Sequence, residues 1–148
     1  MENSHNSISI RIQNIQETEF SCIYDFDYDL MNSDLLEVGL KFETNIIAKD
    51  NICNIDLSVR YKYEEKILLT LGVLFGFEIT PIYALMDENE EEAIPEDLLL
   101  NMLNIAVGAI RGILFLKMQN TPLHKYYLPI FSISFINDII KKGANKKN

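Results

Sequence analysis

Residues that carry chemistry are scarce in this chain of 148 residues. It has two cysteines, Cys22 and Cys53, too few for a disulfide framework or a thiolate metal site, and both read as reduced, half-buried thiols. It has two histidines. His5 lies in a polar N-terminal arm, and His124 stands beside Lys125 with no thiol or serine in a nucleophile setting, so no catalytic centre is recognisable. A phosphate loop is lacking too: Gly72 and Gly76 fall in a strand-like run and are not followed by a helix start with Lys and Ser or Thr. Basic residues number 13 against 22 acidic ones, and a net charge of −9 repels nucleic-acid backbones and anionic lipid surfaces. The polar stretch Met1 to Ser7 has no apolar signal region, the charge-free run Ile67 to Phe77 is too short to cross a bilayer, and Arg111 and Lys117 interrupt the later apolar stretch. The chain therefore reads as soluble and cytoplasmic, with no membrane insertion. The acids Asp87 to Glu92 lack the alternating ligands and turn glycine of a calcium loop. No metal and no cofactor is expected, and the chain does not read as an enzyme.

What is present is core material. Hydrophobic residues make up 48% and aromatics 10%, enough to exclude wholesale disorder and to build one domain over residues 1–148, with 1–7 and 142–148 expected to be flexible. Ile8 to Ile12 alternate with Ser9 and Arg11, the period of a first strand with one wet face. Gln16 to Leu36 has no Gly or Pro and is dense in acids and aromatics, so it reads as a long crossing segment. Val38, Leu40 and Phe42 alternate with polar residues in a second strand that ends at the turn Lys49 to Asn51. The third strand has the cleanest pattern: Ile55, Leu57, Val59, Tyr61 and Tyr63 on one face, Asn54, Asp56, Ser58, Arg60 and Lys62 on the other. A fourth runs from Ile67 towards Ile79, where Gly72 and Gly76 suggest a bulge or a close backbone approach.

After the acidic stretch, Pro95, Glu96 and Asp97 supply a rigid first turn with negative charge at the positive end of a helix dipole. The helix should run to about Lys117, stopped by Pro122, and a short one should follow near Ser134 to Lys142. Asn101, Asn104, Gly108 and Arg111 form a narrow polar stripe on the long helix, and the rest of its circumference is apolar. One sheet cannot cover that much apolar surface, which implies a second subunit or a bound apolar partner. Gly108 and Gly112 open a groove on this helix that lets another backbone approach, and Arg111 between them could pair with a carboxylate across an interface. The candidates for lining an apolar binding groove are the crossing-segment aromatics Phe20, Tyr24, Phe26 and Tyr28, with Phe75, Phe77, Tyr83 and Met86 around the end of the fourth strand. Each of these aromatics is equally consistent with an ordinary core position.

The run Asn104 to Leu114 with its Arg111, then Thr121, Pro122 and Leu123, then Leu128, Pro129 and Ile130, resembles the bacterial SecB-type export chaperones and their wider SecB-like family. The run Arg60 to Phe77 is similar to that family's third and fourth strands, joined through an acidic turn. The resemblance spans Ile8 to Ile140. It implies an α+β fold: a four-stranded antiparallel sheet with a long helix and a short C-terminal helix, assembled as a homodimer or homotetramer through the first strands, here Ile8, Ile10 and Ile12, and the long helices, here Gly108, Arg111 and Gly112. It also implies an ATP-independent molecular chaperone, a holdase that keeps unfolded or extended polypeptides in apolar grooves. Export members pass clients to the translocase ATPase, and some SecB-like members protect an antitoxin instead. Here the outward sheet residues mix Glu37, Glu43 and Asp56 with Lys41, Arg60 and Lys62, and the tail is basic where typical export members are acidic. Two other readings stay open on the residues alone: a small-ligand protein with a closed apolar pocket, and a structural subunit whose apolar helix is permanently covered.

Overall fold

A computed structural model of the chain describes residues 9–80 and 94–145, with side chains as far as Lys142. Its strands are β1 (Ser9–Cys22), β2 (Leu36–Ile47), β3 (Ile52–Tyr63) and β4 (Lys66–Thr80), and its helices α1 (Glu96–Met118) and α2 (Ile133–Asn145). The strands form one antiparallel sheet in the order β1-β4-β3-β2, so β2, β3 and β4 are a meander and the chain must cross the sheet between β1 and β2. This is the α+β architecture that the family resemblance implies.

Alternation dictates the core. Cys53, Ile55, Leu57, Val59 and Tyr61 of β3 are fully buried, while Asp56 and Arg60 between them are exposed. Each such aliphatic side chain contributes about 1.5 to 3 kcal/mol when taken out of water. On β4 the residues Leu69, Leu71, Val73, Phe75, Phe77 and Ile79 occupy the same face, and α1 closes it with Met102, Leu103, Ala106, Val107, Ile110, Leu114 and Met118. The turn from β2 to β3 ends on Asn51, whose φ of 58° lies in the left-handed region that asparagine tolerates better than most residues.

The first strand is much longer than the alternation Ile8 to Ile12 indicates. It continues to Cys22, and the crossing segment starts only at Ile23. Its register against β4 slips twice, between Ile12 and Asn14 and between Glu17 and Glu19, leaving Gln13 and Thr18 as extra residues. Each bulge returns the next apolar residue to the inner face. Ile10, Ile12, Ile15, Glu17, Phe20 and Cys22 therefore all stand opposite inward β4 residues, from Ile79 back to Leu69. The glycines of β4 provide the room: a Cβ on Gly72 would lie 2.7 Å from Thr18 Oγ1, and one on Gly76 3.3 Å from Asn14 Cβ. The bulges are thus on β1, with the glycines opposite.

Pro95 precedes α1, Glu96 and Asp97 fill its first turn and Lys117 its last, as the dipole favours. By length and composition α1 is apolar enough to cross a membrane, yet its inward face is the core of this domain. Only a third of its most apolar stretch is buried within the chain. Lys117 ties the helix end to β1 through a 2.7 Å ion pair with Glu17 and stands 5.0 Å over the Phe20 ring. The exit from α1 is held by Thr121, whose hydroxyl donates to the Met118 carbonyl and accepts from the Leu123 N–H. The Tyr61 hydroxyl donates to the Tyr126 carbonyl at 2.6 Å. The last helix runs to Asn145, three residues beyond the end expected from the sequence.

Candidate functional site

The crossing segment leaves β1 at the Cys22 end and passes the turn between β3 and β4. Phe26 packs edge-on against Tyr28, with ring centroids 5.0 Å apart, and against Tyr63 at 5.6 Å, and Lys66 stands 5.4 Å over its ring. The Tyr28 hydroxyl donates to the Ile23 carbonyl, and burial pushes its pKa up to about 12. Burial also raises the pKa of the neighbouring Cys22 thiol. Phe26 and Tyr28 are therefore half-buried partners of one small aromatic cluster. Phe20, on β1 and not in the crossing segment, is half-buried beneath Lys117. Tyr24 alone of the four aromatics is strongly exposed, at 60%.

Phe75 and Phe77 require a correction. Both are fully buried on the inner face of the central strand β4, beneath α1, and neither has surface to offer a client. They read as groove residues because they lie near a strand end in the sequence, but the strand extends to Thr80 and their phase is that of Leu71 and Val73. Tyr83 and Met86 lie outside the described residues, as does Ile8. Ile10 packs half-buried against the core, whereas Ile12 and Ile15 remain exposed on the edge strand β1, which has no strand on its other side among the described residues.

Gly108, Arg111 and Gly112 do come together. The solvent side of α1 is a stripe of Asn101, Ile105, Gly108, Gly112, Phe115 and Leu116, apolar almost throughout, because the seven residues that pack inward occupy the opposite arc. The segment after α1 folds back alongside this stripe, so that Tyr127 and Leu128 meet Phe115 and Met118. Together with the two glycines and Arg111 they line a pocket of about 460 Å³ that opens to solvent. Phe115 and Tyr127 form an aromatic wall, with ring centroids 5.6 Å apart. A Cβ on either glycine would meet nothing within 4 Å, so the floor of the pocket is unfilled space. Arg111 donates from Nη2 to the Pro129 carbonyl at 3.0 Å, and its buried Nε has no acceptor.

Phe115, Tyr127 and Leu128 were not among the sequence candidates. Phe115 had a signal, since it falls beside Gly108 and Gly112 on a helical projection. Tyr127 and Leu128 had none, because the backbone course after Thr121 places them. Beyond the pocket, Ile130 and Ile133 are 88% and 62% exposed, and Phe131 stacks on Phe135 with centroids 4.8 Å apart. His124 Nδ1 lies 3.0 Å from the Thr121 carbonyl, a contact within its own turn. Among the described residues no three His, Cys, Asp or Glu side chains cluster as metal ligands do.

No protein-family model and no curated protein matches this sequence. Solved structures do match it. The Mycobacterium tuberculosis SecB-like chaperone Rv1957, solved in complex with a ChAD peptide from the Rv1956 HigA1 antitoxin, superposes with a TM-score of 0.51 at 13% identity, covering 82% of this chain and 90% of that one. A protein of unknown function from Streptococcus agalactiae gives a TM-score of 0.41 at 8% identity, over 76% of this chain and 90% of that one. The sheet order, the crossing between β1 and β2, and the long and short helices make this a SecB-like fold.

Proposed function

We propose that this chain is an ATP-independent holdase that binds unfolded or extended polypeptide segments and works as a homodimer or larger homo-oligomer. The observation that carries the reading is apolar surface left open on a well-packed domain. Leu116, Tyr127, Ile130 and Ile133 are all more than 60% exposed, and Tyr127 lines the open pocket. Monomeric soluble domains rarely expose contiguous apolar patches of this kind unless a partner covers them. The pocket holds the candidate interface residues Gly108, Arg111 and Gly112, and being open along a helix it suits a polypeptide surface, a second copy of the chain or an extended client, better than a small ligand, which favours an enclosed cavity. Tyr24 is the crossing-segment aromatic available to a client. The edge of β1, which pairs with no further strand among the described residues and exposes Ile12 and Ile15, supports self-association by strand pairing.

Antitoxin clients are a second reading, favoured over export by two observations. The similar chaperone was solved with an antitoxin peptide, and the outward sheet face here mixes Lys41, Arg60 and Lys62 with its acids. Capturing the polypeptides bound to the tagged chain in its own cells and sequencing them tests both. Recurrent unfolded or extended segments support the holdase, secretory precursors point to export with the translocase ATPase as partner, and one recurrent antitoxin points to the second reading. Failure to suppress aggregation of any unfolded protein, with or without ATP, would remove the holdase reading.

A further inference from the structure

Charge is divided unevenly along this chain. Residues 124–148 hold five lysines and one acid, Asp138, a net of +4, while the rest holds the other 8 basic residues with 21 acids, a net of −13. The basic end also displays apolar side chains. Ile130, at 88%, is the most exposed large apolar residue among those described, and Ile133 follows it at 62%. On α2, Ile136 and Ile140 turn towards the core, which leaves Phe135 and Lys142, seven positions apart, on one outward face. Lys125 and Lys141 are exposed as well.

We propose that this C-terminal end docks on an anionic bilayer surface, with Ile130 and Ile133 entering the headgroup region and Lys125, Lys141 and Lys142 meeting the lipid phosphates. The chain rests on the membrane and does not span it. Lysines beside protruding apolar side chains are the composition that interfacial binding uses, charge drawing the segment in and burial holding it there. Ile130 stands almost clear of its own fold, which suits a fluid that closes around it. Nucleic acid is the poorer match: residues 124–148 contain no arginine, and isoleucine has no π-face on which a base can stack. The net charge of −9 does not forbid the contact. A bilayer responds to charges within about a Debye length, about 8 Å at physiological salt, so the end that touches decides the sign. The inference goes beyond the holdase reading and does not depend on it. Ile130 and Ile133 belong to both surfaces, so a bilayer and a client exclude one another there.

The test is co-sedimentation of the full chain with vesicles of phosphatidylcholine alone and of phosphatidylcholine mixed with phosphatidylglycerol. The chain should bind the mixed vesicles, less tightly as salt is raised, and leave the neutral ones unbound. Changing Lys141 and Lys142 together to Gln should weaken binding about 25-fold, at roughly fivefold for each lysine near an anionic surface. Ile130→Ser should weaken it by at least about tenfold, because an apolar side chain no longer leaves water. No binding to the mixed vesicles, or equal binding to both kinds, overturns the proposal. So does I130S binding as tightly as the parent, which would reduce the contact to bare charge, and so does a single-stranded RNA that displaces the chain from the vesicles. Aggregation suppression by the parent chain without vesicles reads the holdase activity separately, so either reading can fail while the other stands.

Discussion

Adding one methyl group at Gly72 tests the register on which the whole β1 edge depends. Its backbone φ is negative, so alanine is allowed there, but the new Cβ would lie 2.7 Å from Thr18 Oγ1 and 3.5 Å from Glu19 Cβ. The first distance is too short for any real contact. Thr18 must turn about χ1, and a β-branched side chain driven off its rotamer costs about 0.5 to 1.5 kcal/mol, within the roughly 1 to 3 kcal/mol of overpacking generally. Alanine repays about 0.4 to 1 kcal/mol by restricting the unfolded chain. Gly72→Ala should therefore destabilise by about 1 kcal/mol. In a Thr18→Ala background the offending oxygen is absent, and the same change should become neutral or stabilising by up to about 1 kcal/mol. Urea unfolding of the four chains at one protein concentration, followed by circular dichroism, gives the coupling directly. If the two substitutions add to within about 0.5 kcal/mol, Thr18 is not bulged against Gly72 and the assigned course of β1 is wrong.

Phe75→Ala should cost about 3 to 5 kcal/mol, as truncation of a fully buried aromatic does, whereas Tyr24→Ala should cost under about 0.5 kcal/mol and lower aggregation suppression; a stable Phe75→Ala chain would overturn the core assignment. The Glu17–Lys117 pair is about one-third exposed at each partner, so a double-mutant cycle should return under about 1 kcal/mol, shrinking with added salt. Burial pushes the Cys53 thiol up to about 11 from its ordinary value of 9.0. Because the unfolded thiol ionises first, the stability Cys53 contributes is intact below pH 9 and declines as pH rises towards 11, and a Cys53→Ala chain should lose that part of the alkaline decline. Native Cys53 should also react with a thiol reagent at pH 8 only as fast as the domain opens, because it has no exposed surface. Ile15→Lys on the β1 edge should lower the assembly mass seen by light scattering, and an unchanged mass would remove β1 from the proposed interface.

The amino-acid sequence by itself determined whatever depends on neighbours along the chain. The alternation from Ile55 to Tyr63 placed β3 and its buried face, because a period of two has one solution on a half-wet sheet. Pro95 with Glu96 and Asp97, and Lys117 before Pro122, set the ends of α1 to within a residue, because helix termini are decided by local orphan backbone groups and the dipole. The apolar excess on α1 was legible too, since Ile105, Phe115 and Leu116 stay exposed after the sheet has covered what it can.

Tertiary structure alone decided the rest. Two bulges break the period of two in β1 into gaps of three, at Ile12 to Ile15 and at Glu17 to Phe20, so the strand looks finished at Ile12 unless its partner β4 is in view. Phe75 and Phe77 are chemically indistinguishable from groove aromatics, and only the layer of α1 above them makes them core. Arg111 acquires its pocket from Tyr127 and Leu128, sixteen and seventeen positions further on, which the turn at Thr121 brings back over the helix. Contacts across such separations depend on where the chain turns and on which faces are already filled, and neither is written in the residue types of any one segment.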